Sequence, residues 1–291
     1  MPVSLREPDR AVMADLGRID LRVWQWGDPA DPPLVLAHGF FDHGRMFDEI
    51  APWVAELGYH VCSVDLRGHG DSGRASSSHW DAFTLDLGLL CRALGRPVAL
   101  VGHSFGGGQV LAAAATFPEM VAKVVNIDGL GPPPEYMRDD ANTLPLWLGT
   151  AEAIWREPQR EYRSIEEMAS RRREMNPRLS DFWLLHLAIH GSAPGPRGGL
   201  VWKSDPNLRL RAPMPWGEEA MRAQYSAITC PVLVLTGQEP DVFGGLSADV
   251  VAARTGGMSD IEHHSVPGAG HFVHLEQPGT VMGHLEKFLS R

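Results

Sequence analysis

The 291-residue chain is 44% hydrophobic and 21% charged, the balance of an ordinary globular protein long enough for one large domain or a core with an inserted lobe. Its net charge of −10, with no basic tract to offset repulsion from phosphates, excludes nucleic acid as a partner. The opening residues 1–8 lack the apolar segment of a secretory signal and no run is long enough to span a bilayer, so a cytoplasmic protein without a membrane partner is expected.

In chain order, residues 11–26 hold two apolar-rich runs, with alternation over Ile19 to Trp24, and predict an opening hairpin closed by the turn material Gly27 to Pro33. Leu34 to Ala37 reads as a fully buried strand that runs straight into His38-Gly39-Phe40-Phe41-Asp42-His43-Gly44. Helical spacing over Arg45 to Leu57 and a strand over Tyr59 to Val64 precede a polar, glycine-rich loop, Asp65 to Gly73. The charged and imidazole groups of that loop read as a hydrogen-bonded brace, because half-buried charges need partners. A helix over Trp80 to Leu94 then leads to a short strand, Val98 to Val101.

That strand enters Gly102-His103-Ser104-Phe105-Gly106, which fits the G-x-S-x-G pattern of a serine on a strained strand-to-helix corner, with the helix over Gln109 to Ala115 following. Gly102 and Gly106 suit a turn where the chain passes close to itself, and the corner pushes the Ser104 hydroxyl into the open. Neither a phosphate loop's Lys-Ser/Thr tail nor G-x-G-x-x-G spacing is present, so Ser104 is read as a nucleophile. The backbone N–H groups of Phe40 and Phe105 are the candidate oxyanion donors.

A strand over Val121 to Ile127 ends at Asp128-Gly129. From Leu130 to Tyr225 the strand-helix alternation breaks into proline-punctuated, helix-like stretches, and the block reads as a lobe inserted over the site. Trp147, Trp155, Trp183, Trp202 and Trp216, with Leu184, Leu185, Leu187 and Ile189 near His186 and His190, are expected to form mostly that lobe's core, one or two lining an apolar acyl or alcohol pocket. Gly191 to Gly199 is the expected mobile loop. The sheet resumes over Cys230 to Thr236, followed by Gly237-Gln238-Glu239-Pro240-Asp241. A last strand over Ile261 to Val266, the loop Pro267 to Phe272 and a closing helix to Leu289 complete the chain.

His271, isolated in its glycine-rich loop, is the candidate general base, since Ser104, then an acid, then His271 follows the order Ser…Asp…His. The cysteines Cys62, Cys91 and Cys230 lie in or beside apolar segments without C-x-x-C spacing and predict buried, reduced thiols. None of the thirteen histidines belongs to an H-E-x-x-H set, and His263-His264 would point to opposite faces of a strand, so neither a metal nor a cofactor is expected.

Together, His38-Gly39-Phe40, Asp65 to Ser72, Gly102 to Gly106, the 231–241 segment and Gly268 to His271 resemble the α/β-hydrolase superfamily, over nearly the whole chain. The resemblance implies a mostly parallel, eight-stranded sheet flanked by helices, with residues 1–129 and 226–291 as the core and 130–225 as an inserted helical cap. It implies Ser104 as nucleophile, His271 as base and Phe40 and Phe105 as oxyanion donors. For the acid, relatives that place it four residues after the glycine following the penultimate strand select Asp241. Asp128, one strand earlier, is the rival, and Glu239 is a near neighbour. Serine at the elbow separates the chain from branches with an aspartate nucleophile, and carboxylesterase is the first choice. A lactonase, C–C bond hydrolase or cofactor-free perhydrolase on the same triad stays open, as does a receptor for a small hydrophobic ligand. Homodimerisation is left open.

Overall fold

Uninterrupted apolar runs form strands where both faces of a sheet are covered, and there this chain places them. The computed structural model describes residues 5–75, 79–137, 143–210, 217–243 and 245–291. In chain order the strands are β1 (Arg10–Asp15), β2 (Asp20–Trp26), β3 (Pro33–Ala37), β4 (His60–Val64), β5 (Val98–His103), β6 (Val121–Ile127), β7 (Ser192–Pro194), β8 (Leu200–Trp202), β9 (Val232–Gly237) and β10 (Ile261–Val266). The helices are α1 (Ile50–Glu56), α2 (Trp80–Ala93), α3 (Phe105–Thr116), α4 (Thr143–Arg156), α5 (Ile165–Met175), α6 (Asp181–Gly191), α7 (Glu218–Ser226), α8 (Ala248–Thr255), α9 (Val273–Glu276) and α10 (Pro278–Leu289).

Eight strands form one sheet in the order β1-β2-β4-β3-β5-β6-β9-β10, while β7 and β8 make a separate hairpin. β1 with β2 and β2 with β4 run antiparallel, and every other pair in the large sheet is parallel. Because side chains alternate along a strand, each central strand feeds two cores. Leu34 and Leu36 join Ala99, Val101, Leu233 and Leu235 on one face, covered by Ile50 and Val54 of α1 and by Leu285 and Phe288 of α10. Val35 and Ala37 join Val98, Leu100, Val232 and Val234 on the other, under Phe83 and Leu87 of α2 and Val110 and Leu111 of α3. Each such large side chain taken out of water stabilises the fold by about 1.5–3 kcal/mol before entropy is counted.

This strand order decides where chemistry can sit. After β3 the chain crosses to β4 on one side and returns to β5 on the other, so the crevice beyond the carboxyl ends of β3 and β5 stays open. The loops after β3, β5, β6, β9 and β10 all leave from that edge.

Between β6 and β9, Ser164 and Ser180 cap α5 and α6, their side chains accepting from the N–H groups of Glu167 and Trp183 at 3.3 Å. Met168, Trp183, Leu184 and Leu187 of these helices merge with the core on the α1 face. α7 instead packs against α3 and α8, burying Met221 and Tyr225 on the opposite face. The 191–199 segment, expected as a mobile loop, is organised as the β7–β8 hairpin. Gly195 donates to the Gly199 carbonyl at 2.7 Å, and Glu161 accepts from the N–H groups of Arg197 and Gly199, each at 2.9 Å. Glycine turns read as flexible were stapled by a carboxylate distant in sequence. Cys62 and Cys91 are buried free thiols, pushed up to about 12 by burial, and Cys230 is a half-buried one. Among the described residues, no helix is long and apolar enough to cross a membrane.

Two glycine substitutions should move stability in opposite directions. At Gly106 an added Cβ would lie 2.2 Å from the Ala37 carbonyl oxygen, so G106A should lower unfolding free energy by about 2–3 kcal/mol in urea titrations. Gly283 in α10 has open space around it, and G283A should raise the same quantity by about 0.5–1 kcal/mol.

Candidate active site

Ser104 sits between β5 and α3 with φ 54° and ψ −120°, a left-handed strain of about 1–3 kcal/mol that the surrounding close packing enforces. A Cβ at Gly102 would lie 2.3 Å from the Gly106 carbonyl oxygen, and one at Gly129 would lie 2.4 Å from that of Ser104. The elbow is therefore pressed from both sides by backbone that only glycine admits. Among the described residues, the other non-glycine positions with positive φ are Phe41 and Asp128, both in loops beside the elbow.

The hydroxyl, so presented, meets an imidazole from the far end of the chain. Ser104 Oγ lies 2.8 Å from His271 Nε2, and His271 Nδ1 lies 2.6 Å from Asp128 Oδ2. The carboxylate accepts a hydrogen bond from the protonated Nδ1, which leaves Nε2 free to accept from the serine. Asp128 is itself fixed: its N–H donates to the Leu235 carbonyl at 2.7 Å, and its Oδ1 accepts from the Gly237 N–H at 3.3 Å.

This placement corrects the expectation for the acid. Asp241 does not meet the imidazole; its carboxylate accepts from the backbone N–H groups of His271 at 3.1 Å and Phe243 at 3.3 Å, bracing the loop that carries the histidine. Glu239 holds the same loop further back, accepting from Gly268 N–H at 3.2 Å. β6 and β9 are adjacent and parallel, so both strand ends deliver a carboxylate to one neighbourhood, and counting residues past β9 could not tell them apart. The signal was the Asp128-Gly129 pair. Its glycine must pass beneath Ser104, which holds the preceding aspartate beside that serine.

The loop after β3 lies against the elbow, with the Phe40 and Phe105 rings 4.9 Å apart. Phe105 opens α3, so its N–H has no acceptor within the helix. Neutral histidines hold this loop in place. His38 donates from Nδ1 to the Gly39 carbonyl at 2.7 Å and accepts at Nε2 from Leu66 N–H at 2.9 Å. His69 donates from Nδ1 to Arg67 O at 2.9 Å and accepts at Nε2 from Phe41 N–H at 3.1 Å. Burial lowers the basicity of both, His69 to about 4. Asp65, pushed up to about 6 by burial, accepts from the N–H groups of Gly44 at 2.6 Å and Asp71 at 2.8 Å, and Arg67 forks onto Asp86 through two 2.6 Å bonds. These residues form the brace expected of the 65–73 loop.

Sequence reasoning missed two supports. His103, inside the elbow motif, lies 2.9 Å by its Nε2 from the His271 carbonyl and packs between His271 and His274 with ring centroids 4.8 and 4.7 Å away. Asp42, buried beside Phe40, pairs with Arg172 of α5 and ties that helix to the loop after β3. Of the tryptophans, Trp183 is core, Trp155 is exposed, Trp202 lines a cavity, and Trp216 lies outside the described residues. Asp48, His186 and His190 converge within 4.8 Å, but the Arg45 Nε already contacts both Asp48 oxygens at 2.9 and 2.7 Å, putting a guanidinium where a metal cation would bind.

A cavity of about 340 Å³ opens over Ser104 and His271, walled by Trp80, Phe105, Leu130, Tyr136 and Leu246. A second, of about 440 Å³, lies beneath α5 and the β7–β8 hairpin, and Phe40 and Phe243 line both.

Residues 32–278 match the family described as alpha/beta hydrolase fold. A probable serine hydrolase of Drosophila melanogaster is 26% identical over 91% of this chain and 82% of its own length. The 2-(acetamidomethylene)succinate hydrolase of Mesorhizobium japonicum is 26% identical over 94% of this chain and 93% of its own. A solved structure, a hypothetical protein from Pseudomonas aeruginosa PAO1, superposes with a TM-score of 0.83 at 26% identity, covering 97% of this chain and 99% of that one.

The buried histidines make stability depend on pH with a definite sign. Burial keeps His69 and His274 neutral in the folded state down to about 4 and about 3, whereas an unfolded histidine takes up its proton near 6.5. Between these values the unfolded chain binds the extra protons, so each group should remove about 1.4 kcal/mol of stability per pH unit as pH falls below 6.5. Asp65 acts oppositely between about 6 and its ordinary value, offsetting part of the loss. His274, whose two ring nitrogens have no hydrogen-bond partner among the described residues, offers the test: urea midpoints at pH 7, 6 and 5 should fall less steeply for H274L, and an unchanged slope contradicts the assignment.

Proposed function

The chain belongs to the α/β-hydrolase family, and we propose that this serine hydrolase cleaves carboxylic esters of small to medium hydrophobic substrates through an acyl-enzyme. The unbroken chain of hydrogen bonds from Ser104 Oγ through His271 to Asp128 carries this reading. His271 Nε2 takes the hydroxyl proton as Ser104 Oγ bonds to the ester carbonyl carbon, and Asp128 stabilises the imidazolium that results. The Phe40 and Phe105 N–H groups hold the oxyanion, where losing one donor costs about 3 kcal/mol in barrier. Collapse breaks the bond to the alcohol oxygen, which leaves with the proton from His271. Water then gives its proton to His271, bonds to the acyl carbon and releases the acid, returning the proton to Ser104.

The apolar walls of the cavity over Ser104 favour hydrophobic groups flanking the ester, and Leu130, Pro132, Pro133 and Tyr136, at the start of the 130–225 block, shelter them. In this scheme Asp241 sets the position of the His271 backbone and is not the acid.

Turnover of 4-nitrophenyl acyl esters of graded length should fall by about 10⁵–10⁶ in S104A, and a fluorophosphonate probe should label the parent protein but not the variant. Equal rates in the two proteins would end the esterase reading. D128N should lose about 10³–10⁴ in kcat. D241N should lose less than about tenfold, by loosening the loop alone; the reverse order would return the acid to Asp241.

A further inference from the structure

The cavity beneath α5 and the hairpin differs in chemistry from the one over the nucleophile. Arg160, Arg171, Arg172 and Arg209 line it, against Asp42 and Asp205 as its carboxylates. The chain carries a net charge of −10, so a basic excess in this cavity runs against the protein's overall balance. Arg172 is matched by Asp42 and Arg171 by the neighbouring Glu174. Arg160 has only Glu167, 3.9 Å away with both side chains about half exposed, an ion pair worth little in water. Arg209 has no acidic partner among the described residues. Asp205 does not compensate it, because that carboxylate is buried and caps the turn at Pro206, accepting from Asn207 N–H at 2.9 Å.

Two features fit these guanidiniums for a ligand as well as for solvation. The Arg160 and Arg172 groups lie over the rings of Tyr162 and Trp202, at 5.0 and 5.9 Å from the ring centroids, which limits their orientations. The buried Nε of Arg172 donates to nothing among the described residues, although its Nη2 is held by Asp42. The cavity is also next to the chemistry: the ring of Phe243, shared by both spaces, lies tilted with its centroid 4.6 Å from that of His271, and Phe40 is the proposed oxyanion residue.

We propose that this cavity is a subsite for a carboxylate, so that the preferred ester carries a negatively charged group on the arm that passes Phe40 and Phe243, with Arg160 and Arg209 supplying the uncompensated charge and Arg172 a further donor. A planar carboxylate suits paired guanidinium donors, and the apolar cavity over Ser104 accommodates the rest of the substrate. The carboxylate is a spectator and forms no bond in the reaction. This subsite rests on the ester-hydrolase reading above.

The test compares neutral esters with length-matched esters that end in a carboxylate, placed in one series on the acyl chain and in another on the alcohol. In the parent protein, kcat/KM for at least one charged series should exceed that of its neutral match by tenfold or more. In the R160Q/R209Q double variant that ratio should fall at least tenfold, while in R156Q, an exposed arginine of α4 away from the cavity lining, it should hold. Using the ratio within one protein cancels changes in folded fraction. No charged preference in the parent, or a preference that survives in the double variant, overturns the proposal. Titration of adipate into S104A by calorimetry separates this from failure of the hydrolase reading. One-to-one binding that disappears when R160Q/R209Q is added supports the subsite even if no ester is cleaved, and absence of binding overturns it.

Discussion

The site depends on a steric constraint: the start of α3 presses so closely on the end of β3 that no side chain fits between them. Gly102, Gly106 and Gly129 each face backbone carbonyl oxygens at distances a Cβ cannot share, and Ser104 is driven to positive φ as a result. The strain is offset by two hydrophobic cores that hold β3, β5 and α3 immobile on opposite faces of one sheet. A serine on a flexible loop would relax instead, and its hydroxyl would turn away from His271.

Around that point the protein uses histidine as a neutral connector. His38 and His69 each donate from one ring nitrogen and accept at the other, joining the loop after β3 to the loop after β4 without adding a charge to the interior. A lysine or arginine in the same places would need a buried counter-ion, and an amide would not span the same distance with a rigid ring. Of the carboxylates gathered at this edge, Asp128 is the one that meets the His271 imidazole, while Asp241 and Glu239 accept from backbone N–H groups of its loop.

The architecture was legible because β3, β5, β6 and β9 are short apolar runs ending in glycine-rich loops, and Ser104 because its motif demands a strand-turn-helix context that periodicity independently supplied. His271 followed from order along the chain. Legibility stopped where the answer depended on which neighbouring strand reaches furthest, as with Asp128 and Asp241, which are separated by 113 positions in sequence yet serve the side chain and the backbone of one residue. It stopped also between β6 and β9, where pairing is long-range: nothing local to Gly191–Gly199 announces that Glu161 pins it, or that Arg172 will find Asp42. Helix periodicity identifies an apolar face but not the distant partner of a charge.

The Asp42–Arg172 pair has a bearing on traffic. Swinging α5 outward would take the counter-ion from the buried Asp42 carboxylate, at a penalty of up to about 3–5 kcal/mol. At equilibrium a penalty of that size holds a conformer so opened to one molecule in about 160 to about 5,000. A path past the Phe243 ring, which is 40% exposed and lines the cavity over Ser104, leaves that clasp shut and escapes the penalty.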